Sequence, residues 1–182
     1  MIFNSQELLN DLTARINNNI VRCEKLITFP LAALNKKENA TSWSALECIE
    51  HLNLYDDFYI PEITKRISEN KTTSTLHFKS GWLGNYFAIS MLPKKNGIQK
   101  MKTFKDKNPI NSNLNINSID KFIQNQQAML VLIDKAKSVN LKKVKTNISI
   151  SSMIKLRLGD TLRFITYHYE RHLNQAEKAT NI

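Results

Sequence analysis

Apolar residues along the first part of the chain recur at three- and four-residue steps. Leu8, Leu9, Leu12, Ile16, Ile20, Cys23 and Ile27 mark one stripe of an amphipathic helix from Ser5 to about Thr28, with Ser5 placed to cap it and Pro30 to end it. After the polar connection "LAALNKKENAT", Ser44 and Glu47 have the spacing of a capping box, and the pattern behind them supports a second helix to about Tyr59. Pro61 should kink or restart that helix, giving a second piece from Pro61 to about Ser68. Ile119, Phe122, Ile123, Met129, Leu130, Ile133 and Ala136 predict a third long helix over about Ser118 to Ser138. A fourth is expected from near Ser152 to about Thr180, with Gly159 inside it where helices pack closely. Residues 71–116 fit none of these stripes. Their aromatic run "FKSGWLGNYFAISMLP" suggests a partly structured crossover with a short helix around Tyr86 to Met91.

Four long stripes and one long crossover make an all-α four-helix bundle the most economical architecture, and no linker divides the 182 residues, so one domain is expected. Only four glycines and four prolines are present, which agrees with a mostly helical chain. The N-terminus "MIFNSQELLNDL" has no secretory pattern and no run reaches the roughly 18 apolar residues of a membrane span, so a cytoplasmic protein without membrane contact is expected. In that compartment Cys23 and Cys48 should be reduced, buried thiols.

The net charge of +10 raises the question of nucleic acid, and its distribution answers it. Lys and Arg number seven against ten acidic residues in residues 1–70, eight against one in 71–110, and eleven against five in 111–182. The excess sits in "KKNGIQKMKTFKDKNP" and "KAKSVNLKKVK", which look like solvated connections rather than a recognition helix. Nucleic acid is therefore not the expected partner.

Candidate chemistry comes from three of the four histidines. His168 and His172, four apart in "YHYERHLNQ", stack on one helical face with Phe164, Ile165, Gln175 and Ala176, while Arg163, Glu170 and Arg171 fall largely elsewhere. His51 shares a face with Trp43, Glu47, Leu54 and Phe58 in the second helix. Imidazoles turned into a core need partners. Either they are structural core residues, or three of them from two facing helices hold a divalent ion such as zinc or nickel with positions left for water or substrate. His77 in "STLHFKS" belongs to the crossover and reads as a surface residue.

"WSALECIEHL" resembles the W-s-x-x-E-x-x-x-H-l signature of the second helix in the DinB-like superfamily, which includes the YfiT-type metal-dependent proteins. "LGDTLRFITYHYERHLNQAEK" is similar to its last helix, with the pattern H-x-x-R-H-l-x-Q, and "KMKTFKDKNPI" is similar to the basic, proline-ended segment before its third helix. The order and spacing match over nearly the whole chain. The resemblance implies a four-helix bundle in which His51, His168 and His172 bind one divalent metal. Trp43, Glu47, Arg171 and Gln175 match pattern positions as supporting residues, Glu47 and Gln175 being candidates to orient the imidazoles and Glu47 to accept a proton. The segment from Trp82 to Met91 is longer than in most such relatives and could cover the open face of the metal.

Some members of that superfamily resemble transferases acting with low-molecular-weight thiols, and others hydrolases. The resemblance thus implies a small-molecule substrate and a metal that activates a thiol cofactor or a water, thiol transfer ranking slightly first. The competing expectation is a non-catalytic stress-response or binding module contacting an acidic partner through the lysine-rich loops. A monomer and a homodimer both fit the sequence.

Overall fold

A computed structural model describes residues 1–92 and 102–180. The chain is mostly helical, with two small antiparallel sheets. β1 (Ile2–Asn4) leads into α1 (Ser5–Ile27), and a single turn, α2 (Leu31–Leu34), precedes α3 (Ala45–Ser68). The crossover holds β2 (His77–Lys79) and α4 (Trp82–Met91), followed by a short 3-10 turn at Lys105–Lys107 and then α5 (Asn117–Ala136). β3 (Lys145–Ile148) and β4 (Ser151–Arg157) form a hairpin that runs straight into α6 (Leu158–Thr180). α1 and α3 each pack against both α5 and α6, and α4 lies on α6. Leu12, Ile16, Leu52, Ile63, Phe122, Ile133, Leu162 and Leu173 from the four long helices are buried in one continuous core.

Several expectations change in detail. Asn4, not Ser5, caps α1, its Oδ1 accepting from the N–H groups of Gln6 and Glu7 at 2.9 and 3.2 Å. Pro61 does not interrupt α3. Proline removes one bond to the carbonyl four residues back, here that of Asp57, and both residues are exposed, so water can take that carbonyl. The last helix begins at Leu158 rather than Ser152, because the residues before it alternate: Met153 and Lys155 face out while Leu156 is buried, and Thr146 pairs with Leu156 across the hairpin. α4 starts at Trp82, four residues earlier than expected.

Gly159 does mark a close approach, but to a strand. A Cβ there would lie 2.7 Å from the Phe78 ring on β2. β2 pairs with β1 and leaves His77 exposed, as expected of a surface residue. Arg163 and Arg171, expected away from the interior, are 2% and 7% exposed; Ser80, Asn85 of α4 and the Phe3 ring of β1 close over Arg163. Lys142, Lys143 and Lys145 of the second lysine-rich segment are exposed at the entry to the hairpin. Lys94, Lys95 and Lys100 of the first fall outside the described residues.

No helix among the described residues is long and apolar enough to cross a membrane. Both cysteines are free and buried. Burial pushes the Cys23 thiol up to about 12 and that of Cys48 further still, which leaves neither as a nucleophile.

Candidate metal centre

α3 starts at a complete capping box: Ser44 Oγ accepts from the Glu47 N–H at 3.2 Å, and Glu47 Oε2 accepts from the Ser44 N–H at 2.9 Å. One turn further on, His51 points toward α6, where His168 and His172 stand on successive turns of the facing surface. One ligand atom from each of the three rings lies within 4.8 Å of the other two, and all three residues are buried. The ring of Trp43 sits 4.7 Å from that of His51 and 5.7 Å from that of His172, and Tyr55 lies 4.7 Å from His168.

The outward hydrogen bonds fix which nitrogens look inward. His51 Nδ1 is 2.6 Å from the carbonyl oxygen of Lys107, which can only accept, so Nδ1 carries the hydrogen and Nε2 keeps its lone pair. His172 Nδ1 lies 3.0 Å from Gln175 Oε1 and donates to it in the same way. These are the outward acceptors that ligating histidines need. The Nε2 atoms of His51 and His168 are 3.2 Å apart, and two tetrahedral ligands at the usual zinc–nitrogen distance would stand about 3.3 Å apart. The nitrogen donor set also suits zinc or nickel. By donor type, by the tautomers of His51 and His172 and by the spacing of His51 and His168, the cluster fits a divalent ion.

Gln175 thus takes the orienting position expected of it, whereas Glu47 is engaged elsewhere. Its Oε1 accepts from the Asn111 N–H at 2.5 Å and pairs with Lys37 Nζ at 2.7 Å, and its Oε2 is held by the cap. The second acceptor is a backbone carbonyl on the strap 105–111. That strap is pinned to α3 at Glu47 and Asn111, by Trp43 Nε1 donating to Asn108 Oδ1 at 3.2 Å, and by Lys107 Nζ donating to the Leu54 carbonyl at 2.9 Å. Asn111 takes a left-handed conformation, φ 65°, at the end of the strap, a backbone state that asparagine tolerates.

Burial, the largest cause, lowers the pKa of all three histidines, that of His51 to about 4, with mutual repulsion adding for His168 and His172. Each is therefore a neutral imidazole at pH 7. In the unfolded chain the same imidazoles titrate near 6.5, so as pH falls below that value the unfolded state takes up protons first. Stability of the metal-free protein that is present above pH 6.5 should be lost toward pH 4, by about 3 kcal/mol for His51 alone. Asp56, buried with the Tyr169 hydroxyl donating to it and pushed up to about 8 by burial, acts in the opposite direction but is one group against three. Denaturant titrations of the apoprotein at pH 7, 5.5 and 4.5, repeated on Asp56→Asn, should show the loss, steeper in the variant.

The centre opens into a cavity of about 1080 Å3. Its floor follows α3 and α6, its far wall includes Phe87 and Met91 of α4, and the hairpin contributes Ile148 and Leu156. The aromatic segment beginning at Trp82 is thus part of the wall beside the histidines. Neither α4 nor the hairpin carried a sequence signal for this role beyond the aromatic cluster itself.

No curated protein and no solved structure matches the chain. The family model of the DinB superfamily matches residues 21–176, a span that contains the capping box, the strap and all three converging histidines. The chain belongs to the DinB superfamily.

Proposed function

We propose that this protein is a metal-dependent enzyme, a four-helix bundle of α1, α3, α5 and α6 whose His51, His168 and His172 hold one divalent ion, zinc or nickel. The observation that carries this reading is the convergence of three neutral imidazoles, two of them anchored by outward acceptors, in the wall of a cavity large enough for a small molecule. Bound there, the ion supplies Lewis acidity that lowers the pKa of a low-molecular-weight thiol, or of water, and makes a nucleophile at neutral pH.

The chain's own residues do the rest. Lys107 and Gln175 keep the lone pairs of His51 and His172 turned inward. Trp43 and Tyr55 wall the rings off from bulk solvent, and Arg171 places a cation in the cavity for an anionic reactant. We read the substrate as a small molecule and the preferred reaction as transfer of a thiol, with hydrolysis as the alternative.

Cobalt substitution distinguishes the two. Addition of cysteine, glutathione or a sugar thiol to the cobalt-loaded protein should produce a thiolate-to-cobalt charge-transfer band in the near ultraviolet, lost in His172→Ala. Absence of the band with every thiol contradicts thiol transfer and leaves hydrolysis.

Glu47 is, on this reading, a strut rather than a proton acceptor. Glu47→Ala removes the carboxylate half of the capping box and the anchor of the strap, while Ser44 Oγ still accepts from the backbone N–H of residue 47, and should destabilise the protein by about 1–3 kcal/mol while metal stoichiometry stays at about one. Thermal melting and metal analysis of the same preparation check both halves. A variant of unchanged stability would contradict the strut.

A further inference from the structure

The cavity over the three histidines has two chemically different ends. α3 and α6 run antiparallel along its floor, as ring contacts show: Trp43 lies beside His172, Tyr55 beside His168, and Tyr59 6.1 Å from Phe164. Beyond Tyr59 and Phe164 the lining is mostly apolar, with Ser149 between Ile148 and Ile150 as a polar exception. Phe87 lies 6.3 Å from Phe164, and Met91, Ile148 and Leu156 complete that end.

In the opposite direction, past Trp43 and His172, the lining turns polar and cationic, with Arg171, Gln175 and Lys178 on α6 and Lys36 on the loop that leads to Trp43. Counting Lys102, the described lining carries four cations against one carboxylate, Glu38. On a helix rising 1.5 Å per residue, Phe164 is about 12 Å before His172 and Lys178 about 9 Å after it. The histidines therefore stand between an apolar end and a cationic end.

We propose that the substrate is a small amphipathic anion. Its aromatic or branched apolar body lies against Tyr59, Phe87 and Phe164, its carboxylate, phosphate or sulfonate lies toward Lys36, Arg171 and Lys178, and its reactive group lies between them over the histidines. The placement of the reactive group rests on the metal reading above, whereas the two-ended binding does not. Apolar contact supplies affinity at one end, and charge selects sign and direction at the other.

The test uses the metal-free protein, so that it fails or succeeds independently of the metal. The chain has two tryptophans, and Trp82, 86% exposed on α4, is replaced in Trp82→Phe so that Trp43 beside the histidines remains as the only indole. The probe is 8-anilino-1-naphthalenesulfonate, an aromatic anion, followed by energy transfer from Trp43. N-phenyl-1-naphthylamine, the same skeleton without the sulfonate, is the neutral control.

The sulfonate should bind saturably, about one per chain, and at least about tenfold more tightly than the neutral control. Lys36→Glu with Lys178→Glu, both on exposed side chains, should weaken the sulfonate about tenfold and leave the neutral molecule unchanged. Equal affinity for the two molecules, no effect of the double charge reversal, or no saturable transfer from Trp43 would overturn the proposal. Sulfonate binding in a protein that takes up no zinc or nickel would sustain it while overturning the metal reading alone.

Discussion

Excess zinc or nickel should raise the melting temperature of the apoprotein by roughly 8–16 °C, and His168→Ala should remove that shift. The size follows from linkage: a ligand present at a thousand times its dissociation constant and bound only by the folded state contributes about 4 kcal/mol, and a chain of this length gains about 2–4 °C per kcal/mol. His168 is the appropriate residue to remove. Its ring lies 5.1 Å from that of His51 and 4.7 Å from that of His172, its Nε2 is 3.2 Å from that of His51, and it is buried, 5% exposed. Replacing His77, the exposed histidine of β2, leaves the ligand set intact and should preserve the full shift. Thermal scans of the three proteins with and without metal decide the matter. An equal shift in His168→Ala would place the stabilising ion somewhere other than the three histidines.

The second large effect concerns the wall of the cavity rather than its floor. Asp160, fully buried in the first turn of α6, accepts from the Ser80 hydroxyl, from the Gly81 N–H at 2.7 Å and from Arg163 Nη1 at 3.4 Å. Arg163 in turn donates to Ser80 Oγ and Asn85 Oδ1 at 3.1 Å and lies 4.5 Å from the Phe3 ring centre. Gly84 lets α4 approach so closely that a Cβ there would meet that of Asp160 at 2.5 Å. This buried group clamps the start of α4 onto α6, and α4 carries Phe87 and Met91 into the cavity.

Asp160→Ala leaves the Arg163 guanidinium buried without its counter-charge, a change that costs about 3–5 kcal/mol. For this chain length that corresponds to a fall in melting temperature of roughly 6–20 °C. The metal stoichiometry should remain at one in the cold, because no histidine contact passes through Asp160. A loss of metal without a loss of stability would reverse the roles assigned to the two clusters.

The long helices were legible because burial on one face forces a repeat of three and four residues, which α1 and α5 carry throughout and α3 carries up to Pro61, where a break was expected and the helix continues. The histidines were legible for the same reason, since the face they occupy could be followed by eye through Phe164, His168 and His172. Glu47 was visible twice over, as the third residue of a capping box and as a carboxylate one turn before His51. The sequence could not choose between the two uses, because a capping glutamate and an orienting glutamate occupy the same position in the pattern. The structure gives both of its oxygens to the cap and the strap.

The acceptor that does orient His51 left no trace, because it is the main-chain carbonyl of Lys107, and any residue supplies one. The hairpin before α6 was hidden differently. "KTNISISSMIKLR" alternates only in part, its apolar residues continue into those of the helix, and Gly159, the one glycine at the change, reads equally well as a packing glycine inside a longer helix. Arg163 looked like a solvent-facing residue because α6 is buried on nearly every side as far as Leu173, and a helix covered all round has no polar stripe to read.

The central claim is that His51, His168 and His172 hold one divalent ion. Untagged protein is stripped of metal, resupplied with zinc or nickel, freed of excess and analysed for metal per chain, beside a triple variant with alanine at the three positions whose fold is verified by circular dichroism. The account predicts about one ion per chain in the natural protein and less than about a tenth in the variant. Equal metal in the two proteins, or none in either after resupply, would contradict it.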